Sequence, residues 1–209
     1  MTILALEFSS ERRSVALARD GIVLSEAVEQ TGGRATNALG LVEKALAEAD
    51  LKREAIEVIA VGLGPGSYTG IRAAIAVAQG WQLATGLKLL GVSSTEAIAA
   101  QAQAENIFGR VNVVIDAQRG EFYLATWALS AVGRKEVMAL KIVAADEVVA
   151  RLATGEICVG PEMQRTLHPT AAMIGRLAAG KTDFVAGETL APIYLRETTF
   201  VKAGATRVI

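Results

Sequence analysis

The sequence predicts an α/β protein of two similar lobes, and three observations carry that prediction. The element order β-β-β-α-β-α can be read twice along the chain. The opening strand of each reading ends on an acid, Glu7 and Asp116, followed within three to five residues by an arginine and then a hairpin. The composition, 52% hydrophobic and only 5% aromatic, builds the interior from Ala, Leu, Val and Ile, which suits helices packed on sheets. No letter-by-letter repeat accompanies the repeated order.

Residues 3–8 form a short apolar strand. Residues 14–26 carry Asp20-Gly21 between two β-rich segments, the signature of a tight hairpin, so three strands open the chain. After the Gly32-Gly33 break, residues 36–49 place Leu39, Val42 and Leu46 at helical spacing. A strand over 56–63, a glycine-rich loop, a helix over 70–85, a strand over 87–92 and a helix over 95–105 complete the first reading. The second restarts at Val111, with a strand VNVVIDA, a hairpin of 121–131 with 135–143, a helix over 146–153, the strand ICVG and a helix over 171–179. The lobes are therefore expected at 1–105 and 106–209, joined near Glu105 to Arg110 without a low-complexity linker, the second lobe being truncated in its helices.

The loop GLGPGSYTGIR poses a choice. Gly62, Gly64, Gly66 and Gly70 permit close backbone approach, and a helix N-terminus follows, as in an anion-binding loop. A phosphate loop of the Walker type needs a lysine after its last glycine, where Ile71 stands. The dinucleotide pattern needs glycine where Ser67 stands. The structural reading is that Pro65-Gly66 makes a turn and Ser67 or Thr69 caps the helix.

Between Gly70 and Gly86 that helix carries one charge, Arg72, with Ile71, Ala74, Ile75, Val77, Ala78, Trp81, Leu83 and Ala84 on every face. Such a helix is expected to be covered all round, by its own sheet and either the helix over 36–49 or another subunit. A partner interface is therefore expected at Leu39, Val42, Leu46, Ile71, Ala74, Ile75, Ala78 and Trp81, with Gly64, Pro65, Gly66, Ser67, Thr69, Gly70 and Arg72 as the loop that positions it.

Other classes find little support. Twenty-one Lys and Arg nearly cancel twenty-two Asp and Glu, leaving no global field for nucleic acid. Cys158 has no partner for a disulfide and sits in an apolar segment, and His168 has no companion to complete a zinc site or a protease triad. The N-terminus lacks a basic n-region, and no apolar run reaches the about 18–20 residues of a membrane span, so a soluble protein of a reduced cytoplasm is expected. Arg119 and Glu121 are placed to form a turn-stabilising pair.

Four segments, ILALEFSSERRSVAL, GPGSYTGIR with its alanine-rich helix, IDAQRGEFYLA and APIYLRE, occur in an order that resembles the bacterial TsaB (YeaZ) proteins. The resemblance spans nearly the whole chain. It departs from that family at Glu7, where many members have Asp, and in RATNALGLVEKAL, which lacks a histidine often found there. It implies an actin-like, Hsp70-like and sugar-kinase-like (ribonuclease H-like) fold. It also implies the role of a non-catalytic scaffold in synthesis of tRNA threonylcarbamoyladenosine. The implied partners are a catalytic TsaD-type subunit that carries the metal, a TsaE-type ATPase subunit, and a second copy of the chain when the catalytic subunit is absent. tRNA is met indirectly or through a local patch such as Arg196, Lys202 and Arg207. No cofactor is expected on this chain alone, ATP, Mg²⁺ and the metal belonging to the partner subunits. The competing reading is a small Mg²⁺-dependent ATPase or phosphotransferase of the same architecture, in which Glu7, Ser9 and Asp116 hold the ion through water.

Overall fold

The computed structural model describes residues 1–31 and 37–196. The first sheet takes its strands in the order β3-β2-β1-β4-β5 from β1 (Thr2–Glu7), β2 (Arg12–Arg19), β3 (Ile22–Gln30), β4 (Val58–Gly62) and β5 (Lys88–Val92). β1 to β3 are antiparallel, turning at Asp20-Gly21 as the sequence predicts, while β4 and β5 join β1 in parallel through helical crossovers. The second sheet repeats the plan in the order β10-β9-β6-β7-β8, from β6 (Gly109–Asp116), β7 (Glu121–Ser130), β8 (Gly133–Ala144), β9 (Ile157–Gly160) and the two-residue β10 (Arg165–Thr166). The duplicated β-β-β-α-β-α order is thus present.

Alternation along β1 sends Leu4 and Leu6 to one face and Ile3 and Ala5 to the other, and both faces are covered. On the first face lie α1 (Ala38–Glu48) and α2 (Tyr68–Thr85), which pack on the sheet and on each other. α1 begins after Asn37, whose side chain accepts a hydrogen bond from Gly40 N. Thr36, the expected start of this helix, lies outside the described residues.

The helices do not respect the division at residues 105 and 106. α3 (Ser94–Ala104) lies between the two sheets, with Ala97 and Ala100 in the core of the first and Ile98, Ala99 and Ala102 in that of the second. α5 (Ala171–Ala178), expected in the second lobe, instead packs on the second face of the first sheet. The physical reasons are local. Ala171 N donates to Ser14 Oγ at 2.8 Å and Ala172 N to Glu26 Oε1 at 2.9 Å, so strands of the first lobe cap the helix. Gly175 lets the helix approach Ala18 and Ala5 closely. The second sheet keeps α4 (Ala145–Ala153) on its other face.

Beyond α5 the chain returns along the first lobe. Val185 N donates to Leu89 O at 3.0 Å, Leu190 enters the first core, and Ile193 N donates to Leu63 O at 2.9 Å. Arg196 then reaches the second lobe, donating to Ala117 O at 3.0 Å and Glu121 Oε2 at 2.6 Å.

Candidate functional site

The glycine loop is closed by the chain's own backbone. Ser67 N donates to Ser9 O at 2.7 Å, and a side chain at Gly66 would occupy the position of that same carbonyl. At Gly70, in the first turn of α2, a Cβ would collide with Phe8 O. The glycines therefore let α2's N-terminus sit against the end of β1, where the Ser9 carbonyl already takes the Ser67 amide. Gly64, at φ 83°, supplies the left-handed turn, and its peptide bond to Pro65 is cis. Ser67 caps α2, accepting from Gly70 N at 3.4 Å, while Thr69 stands inside the helix, which starts two residues before the expected Gly70.

Glu7 holds this loop from beneath. Its carboxylate is fully buried and receives Ser9 N at 2.7 Å on Oε1 and Ser94 Oγ at 2.8 Å on Oε2. Ser94 Oγ in turn accepts from Gly64 N at 3.2 Å, so one carboxylate ties the end of β1, the loop and the start of α3 together. Burial pushes the Glu7 carboxyl above the usual glutamate range, with hydrogen bonds from Ser9 and Ser94 acting in the opposite direction. Arg13 is nearly buried close to Gly70, its pKa lowered by burial and raised in part by Glu29.

Glu7 and Ser9 are enclosed in the first lobe, and both Glu7 oxygens have protein donors. Asp116 lies at the end of β6, where its two oxygens accept from Gln118 N at 2.8 Å and Gln118 Nε2 at 2.7 Å, forming a local turn. Glu121 pairs with Arg196 rather than with Arg119. This takes Arg196 out of the basic patch read from sequence, and Lys202 and Arg207 lie outside the described residues. His168 is half-buried beside Arg12 and Glu11, with its pKa lowered by burial first and Arg12 second. Cys158 is buried in the second sheet, its thiol pushed up by burial.

The surface of α2 differs from expectation. Val42, Leu46, Ile71, Ala74, Ile75 and Ala78 all lie buried in the chain's own core, and half-buried Trp81 packs against it. Of the expected interface residues only Leu39, 60% exposed, stands clear. The reason is rotation. α2 turns these residues onto β4 and α1, and leaves Tyr68, Arg72, Ala76, Gly80, Leu83 and Ala84 outward. That stripe holds a single charge, and Leu83 is 91% exposed. Gly80 has nothing within 4 Å of an added Cβ, so no packing inside the chain requires a glycine there. The outward face of α1, by contrast, carries Glu43, Lys44 and Glu48.

The family model described as TsaD, tRNA N6-adenosine threonylcarbamoyltransferase, matches residues 10–186. The chain belongs to the TsaD family. Within it, the similarity is to TsaB, or YeaZ, proteins. The tRNA threonylcarbamoyladenosine biosynthesis protein TsaB of Escherichia coli is 36% identical over 127 residues, covering 61% of this chain and 55% of that protein. The protein of the same name from Bacillus subtilis is 31% identical over 124 residues, covering 59% and 53%. The chain spans about half the length of these relatives in the matched stretch. The solved structure of YeaZ from Pseudomonas aeruginosa superposes with a TM-score of 0.79 at 28% identity, covering 93% of this chain and 99% of that one. The two-lobed fold is therefore that of YeaZ.

Sequence reasoning missed three contributors in this TsaD-family chain. Ser94 was legible only as one of several serines before a helix, and its reach to Glu7 depends on the crossover. Ser14 as a cap for α5 depends on a contact across 157 residues. Tyr194, in the closing APIYLRE segment, packs edge-to-face on Tyr68 with ring centroids 5.0 Å apart. The motif signalled family, and the fold supplies the contact.

Proposed function

We propose that this chain is a non-catalytic subunit of the assembly that forms N6-threonylcarbamoyladenosine beside the anticodon of tRNAs, and that it docks a catalytic TsaD-type subunit through the outward stripe of α2. The observation that carries the reading is that stripe: an 18-residue helix whose exposed side offers Ala76, Gly80, Leu83 and Ala84 with one cation and no acid. Small residues allow a second helix to approach closely, and exposed apolar area of this kind is removed from water by association. The names of the TsaB relatives support the pathway. A loop filled by its own backbone and a fully buried Glu7 support a positioning rather than a phosphate-transferring role.

In this reading ATP, Mg²⁺ and the metal are held by the catalytic and TsaE-type ATPase subunits, a second copy of the chain occupies α2 when the catalytic subunit is absent, and tRNA is met through the assembly in the cytoplasm. The test is native mass spectrometry of the full chain, alone and mixed with the catalytic relative from the same organism. A self-dimer that converts to a one-to-one heterodimer is the expected result, abolished by Ala76→Glu, which puts an unpaired charge into the contact. A parent chain that stays monomeric and ignores the relative overturns the reading.

A further inference from the structure

The chain's return along the first lobe is fastened on both sides of a short exposed stretch. Gln79 Nε2 donates to Gly187 O and Gly187 N to Gln82 Oε1, each at 2.7 Å, which ties this segment to α2. Ile193 N is held by Leu63 O, and Arg196 is held by Ala117 O and Glu121. Between these fixed points stand Tyr194 and Leu195, 49% and 40% exposed. A segment anchored so closely on both sides has little backbone freedom left to lose on binding.

Their position adds a second observation. The Tyr194 ring meets Tyr68, itself 45% exposed, and the Arg72 guanidinium lies over the same Tyr68 ring at 5.1 Å. Tyr68, Arg72 and Ala76 follow one another at intervals of four on α2, so they share the outward stripe. The exposed pair on the returning segment thus extends the stripe beyond the end of the helix. Tyrosine and arginine held rigidly at the edge of a small-residue face are the residue types that concentrate binding energy in protein interfaces.

We propose that Tyr194 and Leu195, together with Tyr68 and Arg72, anchor the surface on which the catalytic relative docks, so that this partner grips α2 and the C-terminal segment at once. The inference rests on the α2 docking reading and assigns it a second, non-helical half. A matching partner surface would offer an apolar recess to Tyr194 and Leu195 and a carboxylate to Arg72, the sole charge of α2, which is steadied by its donation to Tyr68 Oη. Among the described residues of this surface the free charge is Arg72, since Arg196 is engaged by Glu121, and the test below separates a nucleic-acid occupant from the catalytic relative.

The experiment is a titration of the full chain with the catalytic relative from the same organism, by calorimetry, comparing Tyr194→Ala, Tyr194→Phe, Leu195→Ser and Ala76→Glu, with thermal midpoints measured on each. Tyr194→Ala is expected to raise Kd about tenfold or more, Leu195→Ser to raise it in the same direction, and Tyr194→Phe to keep most of the affinity. Leu195→Ser keeps the test open should Tyr194→Ala unfold. If Ala76→Glu abolishes binding while the 194 and 195 variants bind like the parent, the inference is overturned and the α2 reading stands. If Ala76→Glu also binds like the parent, or the parent does not bind at all, the α2 reading falls and takes the inference with it. Loss of self-association or of tRNA affinity alone, with affinity for the relative unchanged, also overturns the inference.

Discussion

Ser94 Oγ donates to Glu7 Oε2 at 2.8 Å, joining the first turn of α3 to the end of β1 across 87 residues in the buried interior. Because burial is the largest influence on Glu7, its carboxyl holds a proton more tightly folded than unfolded. As pH rises past the ordinary value of 4.5, the unfolded chain ionises first. Stability is therefore lost between that pH and the raised folded pKa, the reverse of the usual carboxylate trend. Glu7→Gln removes this slope. Denaturant midpoints from pH 4 to pH 8 should show the parent losing ground to the variant as pH rises, and a constant difference between the two would refute the assignment.

The loop glycines separate into those the fold needs and one it does not. Gly70→Ala sets a methyl group against Phe8 O, and Gly66→Ala sets one against Ser9 O. Each is backbone and cannot turn aside, so each change should cost on the order of 2 kcal/mol or more. Gly80→Ala meets nothing and lies within a helix, so the isolated chain should gain about 0.5–1 kcal/mol. Thermal or denaturant unfolding of the three variants decides it; a destabilising Gly80→Ala would mean that the helix surface is not as open as described.

Much of the fold was legible because its signals are local. The Asp20-Gly21 turn, the alternation in β1 and the Ser67 cap each depend on neighbours a few residues apart. The allegiance of α3 and α5 was not legible, since periodicity says that a helix has an apolar face and not which sheet receives it. The same gap applies to which residues of α2 are exposed. Ile71, Ala74 and Ala78 are apolar, but α2 is apolar on every side, so composition does not tell the face turned to β4 from the face turned to solvent. Glu7 was legible as a strand-end acid; its burial was not, because Ser94 and Gly62 reach it only through the crossovers.

The attachment of α5 to the first lobe can be tested at its cap. Ser14 Oγ is buried and receives Ala171 N, an amide that has no partner within its own helix. Ser14→Ala leaves that amide unsatisfied in the core and should cost about 1–2 kcal/mol. Hydrogen exchange should show the loss at residues 171–174 and along β2 rather than in the second sheet. Faster exchange confined to β9 and β10 would instead place α5 with the second lobe.

Two alanines only two residues apart, about half a helical turn, give the sharpest contrast on α2. Ala74 is fully buried against the first sheet, whereas Ala76 points to solvent. A glutamate at 74 must either carry its charge into the core or push α2 off β4, and a buried charge without a partner is among the costliest single changes, so Ala74→Glu should prevent folding. A glutamate at 76 meets water in the isolated chain and should shift its stability by no more than about 0.5 kcal/mol. Circular dichroism and denaturant unfolding of the two variants distinguish them before any partner is added. An Ala74→Glu chain that folds like the parent would mean that α2 is rotated from the orientation described, and the outward stripe would have to be redrawn around Ile71, Ala74 and Ala78.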